Sequence, residues 1–327
     1  MTQSVLVTGA NGFVGQAVVA ALAHSEAWTV RAAVRGDSAS HERNVIPVPL
    51  VSVGAIDART DWTVALRGID AVVHSAARVH VMRDTAADPL TEFRRVNVEG
   101  TLRLARQAAT AGVRRFVFLS SIKVNGERTE IGRPFMAEDV PSPVDPYGIS
   151  KFEAEQGLTR IARETGLEVV VIRPVVVYGP GVKGNFRTMI QWLRRGIPLP
   201  LGAIHNKRSF VAVDNLVSLI LTCLHHPAAA DQIFLVSDGE DLSTTELLRR
   251  MAKVLNVSAL LLPVPSVLLR GGARLVNKSA VIQRLCGSLQ VDITHTCNRL
   301  SWQPVVSVDI ALLKTVTSSR PMRIPNP

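Results

Sequence analysis

Paired cysteines, long apolar runs and blocks of like charge are all missing from this 327-residue chain, and each absence narrows what it can be. Three cysteines, Cys223, Cys286 and Cys297, show neither an even count nor a metal-ligand spacing. That argues against a disulfide framework and a thiolate metal site. So sparse a set fits a reducing compartment, with each cysteine a buried small apolar residue. The longest apolar stretches, around 169–177 and 258–269, are interrupted by Arg173 or by prolines. Both fall short of the roughly 20 residues of a membrane span, so no membrane insertion is expected. The first apolar run begins within a few residues of the start and leaves no room for a signal peptide. A soluble, cytoplasmic protein is expected.

A net charge of +10 raises the question of nucleic acid. The basic residues come as scattered pairs (Arg94-Arg95, Arg114-Arg115, Arg194-Arg195, Arg249-Arg250), with no basic run, and aromatics are 5%. Such pairs read as solvated helix faces, and nucleic acid is not expected as a partner. A few arginines suffice for an anionic ligand such as a nucleotide diphosphate. Apolar residues at 47% against 20% charged describe a folded chain, long enough for one large or two modest domains. No internal repeat is visible.

What is present begins at TGANGFVG, residues 8–15. It follows the apolar run Ser4-Val5-Leu6-Val7 and precedes a helical pattern carried by Val14, Ala17, Val18 and Ala21. Gly9, Gly12 and Gly15 recur every three residues across this strand-to-helix turn. Glycines there permit a tight turn, close approach of a pyrophosphate and packing of the helix on the strand. The helix N-terminus adds N–H groups and a positive dipole end for phosphates. Further strands are expected at 29–34, 45–50, 70–74, 116–120 and 168–173, with helices at 90–111 and 150–165. Apolar strands alternating with helices predict a doubly wound parallel α/β sheet of the Rossmann type.

After Pro174 the texture changes. Gly179, Pro180, Gly181, Gly184, Gly196, Pro198, Pro200 and Gly202 crowd a stretch of short elements, which marks ligand-contacting loops and a smaller C-terminal domain. The expected division is a cofactor domain over 1–178, to which 208–238 returns, and a substrate domain over 179–327. The proline-rich tail 318–327 is expected to fray.

Chemistry concentrates in YGISK, residues 147–151. One helical turn apart, Tyr147 and Lys151 share a face, and a neighbouring ammonium favours the phenolate. Such a pair delivers or removes a proton at a carbinol or carbonyl oxygen. Ser120-Ser121, at the carboxyl end of an expected strand, supplies a hydroxyl where open α/β sheets bind ligands.

These segments, with VVHSAA (72–77), NVEGT (97–101), FLSS (118–121), RPVVVYGPG (173–181) and RSFVAVDN (208–215), resemble an extended short-chain dehydrogenase/reductase of the nucleotide-sugar epimerase/dehydratase group. The likeness covers nearly the whole chain. It implies Tyr147 as acid/base, Lys151 as its pKa-lowering, ribose-binding partner and Ser121 as the hydroxyl that orients the substrate oxygen. It places Gly9, Asn11, Gly12, Phe13, Val14, Gly15, His74, Ala76, Ala77, Asn97, Ser120 and Pro174 beside the cofactor, together with Tyr147 and Lys151. Lys123, Asn185 and Arg208 join Ser121 and Tyr147 around a UDP-sugar, with the diphosphate on Asn185 and Arg208. No metal is implied, and a homodimer through the helices near 90–111 and 148–164 is.

Two positions depart from the group's pattern. Val34 stands where an aspartate often binds the adenosine ribose, and Arg35 follows it; Ala55 replaces an acid often found near the adenine. Loss of the acid removes repulsion against a 2′-phosphate, and Arg35 offers it a charge partner, so NADPH is favoured over NAD. A net reductase consumes an exchangeable reduced cofactor. SSIKVNGE (120–127), RPF (133–135), DPYGISKFEAE (145–155) and RLCGSLQVDIT (284–294) are similar to O-antigen enzymes that reduce UDP-4-keto-6-deoxy-N-acetylhexosamines, the UDP-N-acetylquinovosamine type. Reduction of such a ketone at C4 is the expected reaction. The alternative is a UDP-glucose or UDP-N-acetylglucosamine 4-epimerase with tightly held NAD, and a non-catalytic NADP-binding regulator ranks last because Tyr147, Lys151 and Ser121 are all present.

Overall fold

A computed structural model describes residues 2–36, 48–79, 88–275, 283 and 285–318. Seven strands form one sheet: β1 (Gln3–Thr8), β2 (Trp28–Val34), β3 (Leu50–Ser52), β4 (Ala71–His74), β5 (Arg115–Leu119), β6 (Glu168–Pro174) and, after two strands that lie elsewhere, β9 (Ile233–Val236). Their order is β3-β2-β1-β4-β5-β6-β9, with every pairing parallel. Alternating side chains divide between the faces. Val5, Val7, Val73, Val117 and Ile172 join one apolar cluster with the Phe13–Ala23 and Val213–His225 helices. Leu6, Val72, Phe116, Phe118 and Val171 join another with the Thr101–Thr110 and Pro146–Thr165 helices. Period-two alternation along largely apolar strands, with side chains of both faces buried, produces a sheet covered on both sides, the expected Rossmann architecture. The order reverses between β1 and β4, so the crevice above their carboxyl ends is the switch point at which such sheets bind ligands.

A second sheet, β10-β8-β7, holds β7 (Val176–Tyr178), β8 (Arg208–Ala212) and β10 (Asp241–Leu242). A third apolar cluster, which includes Tyr178, Phe186, Phe210, Leu248 and Leu312, lies there. Residues 208–238 therefore contribute to both sheets, β8 to the small one and β9 to the large.

Several boundaries differ from expectation. The third strand is Leu50–Ser52, not 45–50, and 45–47 lie outside the described residues, as do 319–327 of the tail. The helix expected at 150 starts at Pro146: Asp145 caps it by accepting from the Gly148 N–H at 2.7 Å, and proline at the first position lacks only an N–H that a helix start leaves unpaired. The expected 90–111 helix is an α-helix over Pro89–Phe93, a wider π-helical turn over Arg94–Gly100, and an α-helix over Thr101–Thr110. Only Cys223 is buried; Cys286 and Cys297 are partly exposed. Among the described residues, no helix is long and apolar enough to cross a membrane.

Candidate active site

The glycine turn is built so that no side chain fits. Gly9 has φ +67°, and a Cβ on it would lie 2.7 Å from the Ala76 nitrogen. A Cβ on Gly15 would lie 2.1 Å from the Gly9 carbonyl oxygen. Gly12 donates its N–H to that same oxygen at 2.8 Å and then serves as N-cap of the Phe13–Ala23 helix, with no side chain claiming the first N–H groups. This bare backbone cradle at a helix N-terminus fits a pyrophosphate. Asn11 is exposed at its rim, whereas Phe13 and Val14 are half-buried and pack into the cores. Ala76 and Ala77 are partly exposed beside the turn. Val34 is buried at the end of β2, and Arg35 follows it fully outward.

Above the next strand end, three consecutive residues meet three successive turns of the Pro146–Thr165 helix. The Ser121 hydroxyl lies near enough to the Tyr147 phenol to lower its pKa. The Leu119 carbonyl accepts from Lys151 Nζ at 2.7 Å, and Ser120 donates to the Glu155 carboxylate. Tyr147 packs edge-on against Phe93, with ring centroids 6.0 Å apart. Lys151 Nζ sits 4.4 Å from the Phe118 ring centroid and 6.0 Å from that of Tyr147. Burial raises the phenol's pKa and the Asp145 carboxylate raises it further, while the bond from Ser121 lowers it. Burial drives the Lys151 ammonium down to about 7, and the Glu155 carboxylate opposes that fall. The Ser121 hydroxyl counters part of the rise at Tyr147.

Other expected site residues are engaged elsewhere. His74 does not present its ring to the crevice. It is fully buried, with Nδ1 on the Thr8 hydroxyl at 2.7 Å and Nε2 on the Thr101 hydroxyl at 2.9 Å. Burial, then the Lys151 charge, lowers its pKa to about 3, so it is a neutral bridge between β1, β4 and the helix behind them. Ser120 likewise turns inward to Glu155. Asn97, carried on the π-helical turn, accepts from the Arg78 N–H at 2.8 Å and donates to the Arg78 carbonyl at 3.0 Å and to the Ser150 hydroxyl at 3.0 Å. It pins the loop after β4 to the tyrosine-bearing helix. Pro174 closes β6 and is half-buried. Lys123 is ion-paired with Asp145 and lies 3.6 Å from Glu127. Arg208 opens β8 and donates to the Gly287 carbonyl at 3.0 Å; burial lowers its pKa. Asn185 is exposed at the first position of the Asn185–Arg194 helix.

Asp145, Glu155 and Arg173 were not singled out by sequence reasoning. For Asp145 a signal existed, the Asp-Pro pair of a capped helix start. A separate cleft of about 560 Å³, lined by Met136, Glu138, His295 and Arg299 among others, contains none of the expected site residues.

Comparison with known proteins agrees with this geometry. The model of the NAD dependent epimerase/dehydratase family matches residues 5–237. A UDP-glucose 4-epimerase of Vibrio cholerae is 49% identical over 305 residues, 93% of this chain and 92% of that protein. A GDP-6-deoxy-D-mannose reductase of Pseudomonas aeruginosa is 29% identical over 290 residues, 85% of this chain and 89% of its own. In fold, the chain is similar to a UDP-glucuronic acid 4-epimerase from Bacillus cereus, solved in complex with NAD, with a TM-score of 0.75, 20% identity, and 97% and 98% of the two chains covered. Sheet order, glycine cradle and the matched model together show that this chain belongs to the NAD dependent epimerase/dehydratase family, an extended short-chain dehydrogenase/reductase of the nucleotide-sugar epimerase and reductase group.

Proposed function

We propose that the chain is a UDP-hexose 4-epimerase that keeps its nicotinamide cofactor bound through the cycle. The observation that carries the reading is the meeting of Tyr147, Ser121 and Lys151 above the carboxyl end of β5. The 49% identity to a UDP-glucose 4-epimerase, matched over nearly the whole of both chains, supports epimerisation over net reduction.

A bound nicotinamide supplies the acceptor, and then the donor, of hydride at the sugar C4. Tyr147 takes the O4 proton as that hydride leaves and gives it back on the other face. Ser121 holds the oxygen within reach of the phenol. The Lys151 ammonium supplies the positive charge that a phenolate needs beside it. Arg208 and Asn185 hold the diphosphate, so that binding energy remote from C4 positions the ring. The glycine turn and the strand ends of the large sheet would hold the cofactor, and the smaller sheet the sugar nucleotide.

One observation favours a second reading. With Val34 in place of an acid and Arg35 outward beside it, the adenosine end suits a 2′-phosphate and hence NADPH-dependent reduction of a UDP-4-keto-6-deoxy-N-acetylhexosamine. Incubation of the purified chain with UDP-glucose or UDP-N-acetylglucosamine, with and without NADPH, separates the two. The C4 epimers should form without added reductant. If neither forms, while a 4-keto sugar drives stoichiometric loss of nicotinamide absorbance, the reductase reading replaces this one.

A further inference from the structure

Behind Lys151 lies an ion pair that the proton-transfer scheme does not use. Glu155, one helical turn beyond Lys151, receives two bonds from the Arg173 guanidinium, Nη2 at 2.6 Å and Nε at 3.0 Å. Both side chains are almost wholly buried, at 5% and 2% exposure. The Ser120 hydroxyl also donates to Glu155, and Arg173 Nη1 donates to the Asn125 side-chain Oδ1 at 3.0 Å. Asn125 in turn donates to the Met136 carbonyl at 2.9 Å. Burying such a pair costs desolvation that its attraction often fails to repay, so stability alone is a weak reason for its presence.

The bonding pattern supplies another reason. Residues 119, 120 and 121 engage Lys151, Glu155 and Tyr147, one strand-end residue to each turn of a single helix face. Arg173 enters from β6, whose Ile172 carbonyl accepts from the Ser120 N–H at 2.8 Å, and grips the carboxylate from the other side. The helix face therefore cannot slide along the strand end without breaking the Glu155 bonds.

We propose that Glu155, clamped by Arg173, is a positioning residue that fixes Lys151 against the Leu119 carbonyl. The role for catalysis rests on the reading of Tyr147 and Lys151 as the proton-transfer pair. The effect on Lys151 itself does not, and it is measurable without substrate.

The test is an NMR titration of the full chain with labelled lysine side chains, the Lys151 signal being assigned by its loss in Lys151→Met. Glu155→Gln keeps the size of the side chain and removes its charge. The Lys151 midpoint, held low by burial in the parent, should fall further, by about one pH unit or more. The double variant Glu155→Gln, Arg173→Met removes the unpaired guanidinium and should regain thermal stability while the midpoint stays low. A midpoint unchanged in Glu155→Gln, or restored in the double variant, overturns the proposal. With a turned-over UDP-sugar, Glu155→Gln should lower kcat by at least about tenfold with a smaller change in KM, and should move the high-pH limb of the rate profile downward. A lowered midpoint in a chain that turns over no nucleotide sugar upholds the Glu155 role and removes the epimerase and reductase readings. Turnover with an unmoved midpoint does the reverse.

Discussion

The glycine turn offers backbone: N–H groups at a helix start, walled by Gly9, Gly12 and Gly15. At the tyrosine end the candidate groups are side chains held by a packed network, with Ser121 beside Tyr147, Lys151 bonded to Leu119, and Glu155 behind them bonded to Ser120 and Arg173. Phosphate recognition needs only dipoles in a fixed curve, and the main chain provides those. Proton transfer needs particular titratable atoms held within hydrogen-bond reach, which only a packed network provides. The two ends should therefore fail differently when altered.

The largest effect is expected at the tyrosine. Tyr147→Phe removes one oxygen and should reduce turnover by about 10²–10⁴-fold while cofactor binding and thermal stability stay near the parent's. Steady-state kinetics beside a cofactor titration checks this, and near-normal kcat would end the acid/base assignment. Next comes the buried imidazole behind this end. His74 has a folded pKa of about 3 against about 6.5 unfolded, so it lends stability above pH 6.5 that is lost as pH falls toward 3. The loss should amount to a few kcal/mol. His74→Gln, which offers Thr8 and Thr101 an amide that does not titrate, should flatten that slope in denaturant unfolding measured from pH 7 to 4. An unchanged slope would place the acid sensitivity elsewhere.

Much of this contrast was legible in the chain. The triple glycine marks the turn: Gly9 combines φ +67°, which side chains rarely adopt, with a neighbouring backbone atom 2.7 Å from where its Cβ would be. Tyr147 and Lys151 are legible because four residues on a helix bring two side chains to one face. Asp70–His74 reads as a strand, but nothing local tells that His74 bonds Thr8, 66 residues away, and Thr101, 27 residues away. Arg173 reads as a break in an apolar stretch and nothing local marks Glu155; only the packing of that helix on β6 makes them a buried pair. The π-helical turn over Arg94–Gly100 had no signal either, since it is known by where Asn97 goes, to the Arg78 backbone and to Ser150.

Smaller effects are expected at the turn. Gly15→Ala puts a methyl against the Gly9 carbonyl and should cost about 1–3 kcal/mol of stability and weaken cofactor binding. Its kcat at saturating cofactor should fall far less than that of Tyr147→Phe; an equal fall would erase the distinction between the ends. Arg35→Ala should be the mildest. If a 2′-phosphate sits there, the loss is about tenfold in affinity for NADPH and little for NADH, read from paired KM values. Equal behaviour toward both cofactors leaves Arg35 as solvated surface and strengthens the NAD-holding epimerase.

The central claim, that hydride leaves C4 and returns to the same carbon above Tyr147, is tested most directly by label. UDP-glucose or UDP-N-acetylglucosamine carrying deuterium at C4 is incubated with the chain, and the C4 epimer is examined by mass spectrometry and NMR. The account predicts an epimer that keeps deuterium at C4, with no net change in nicotinamide absorbance. Loss of the label from the product, or no epimer together with absorbance that falls in step with reduction of a 4-keto sugar, would contradict it.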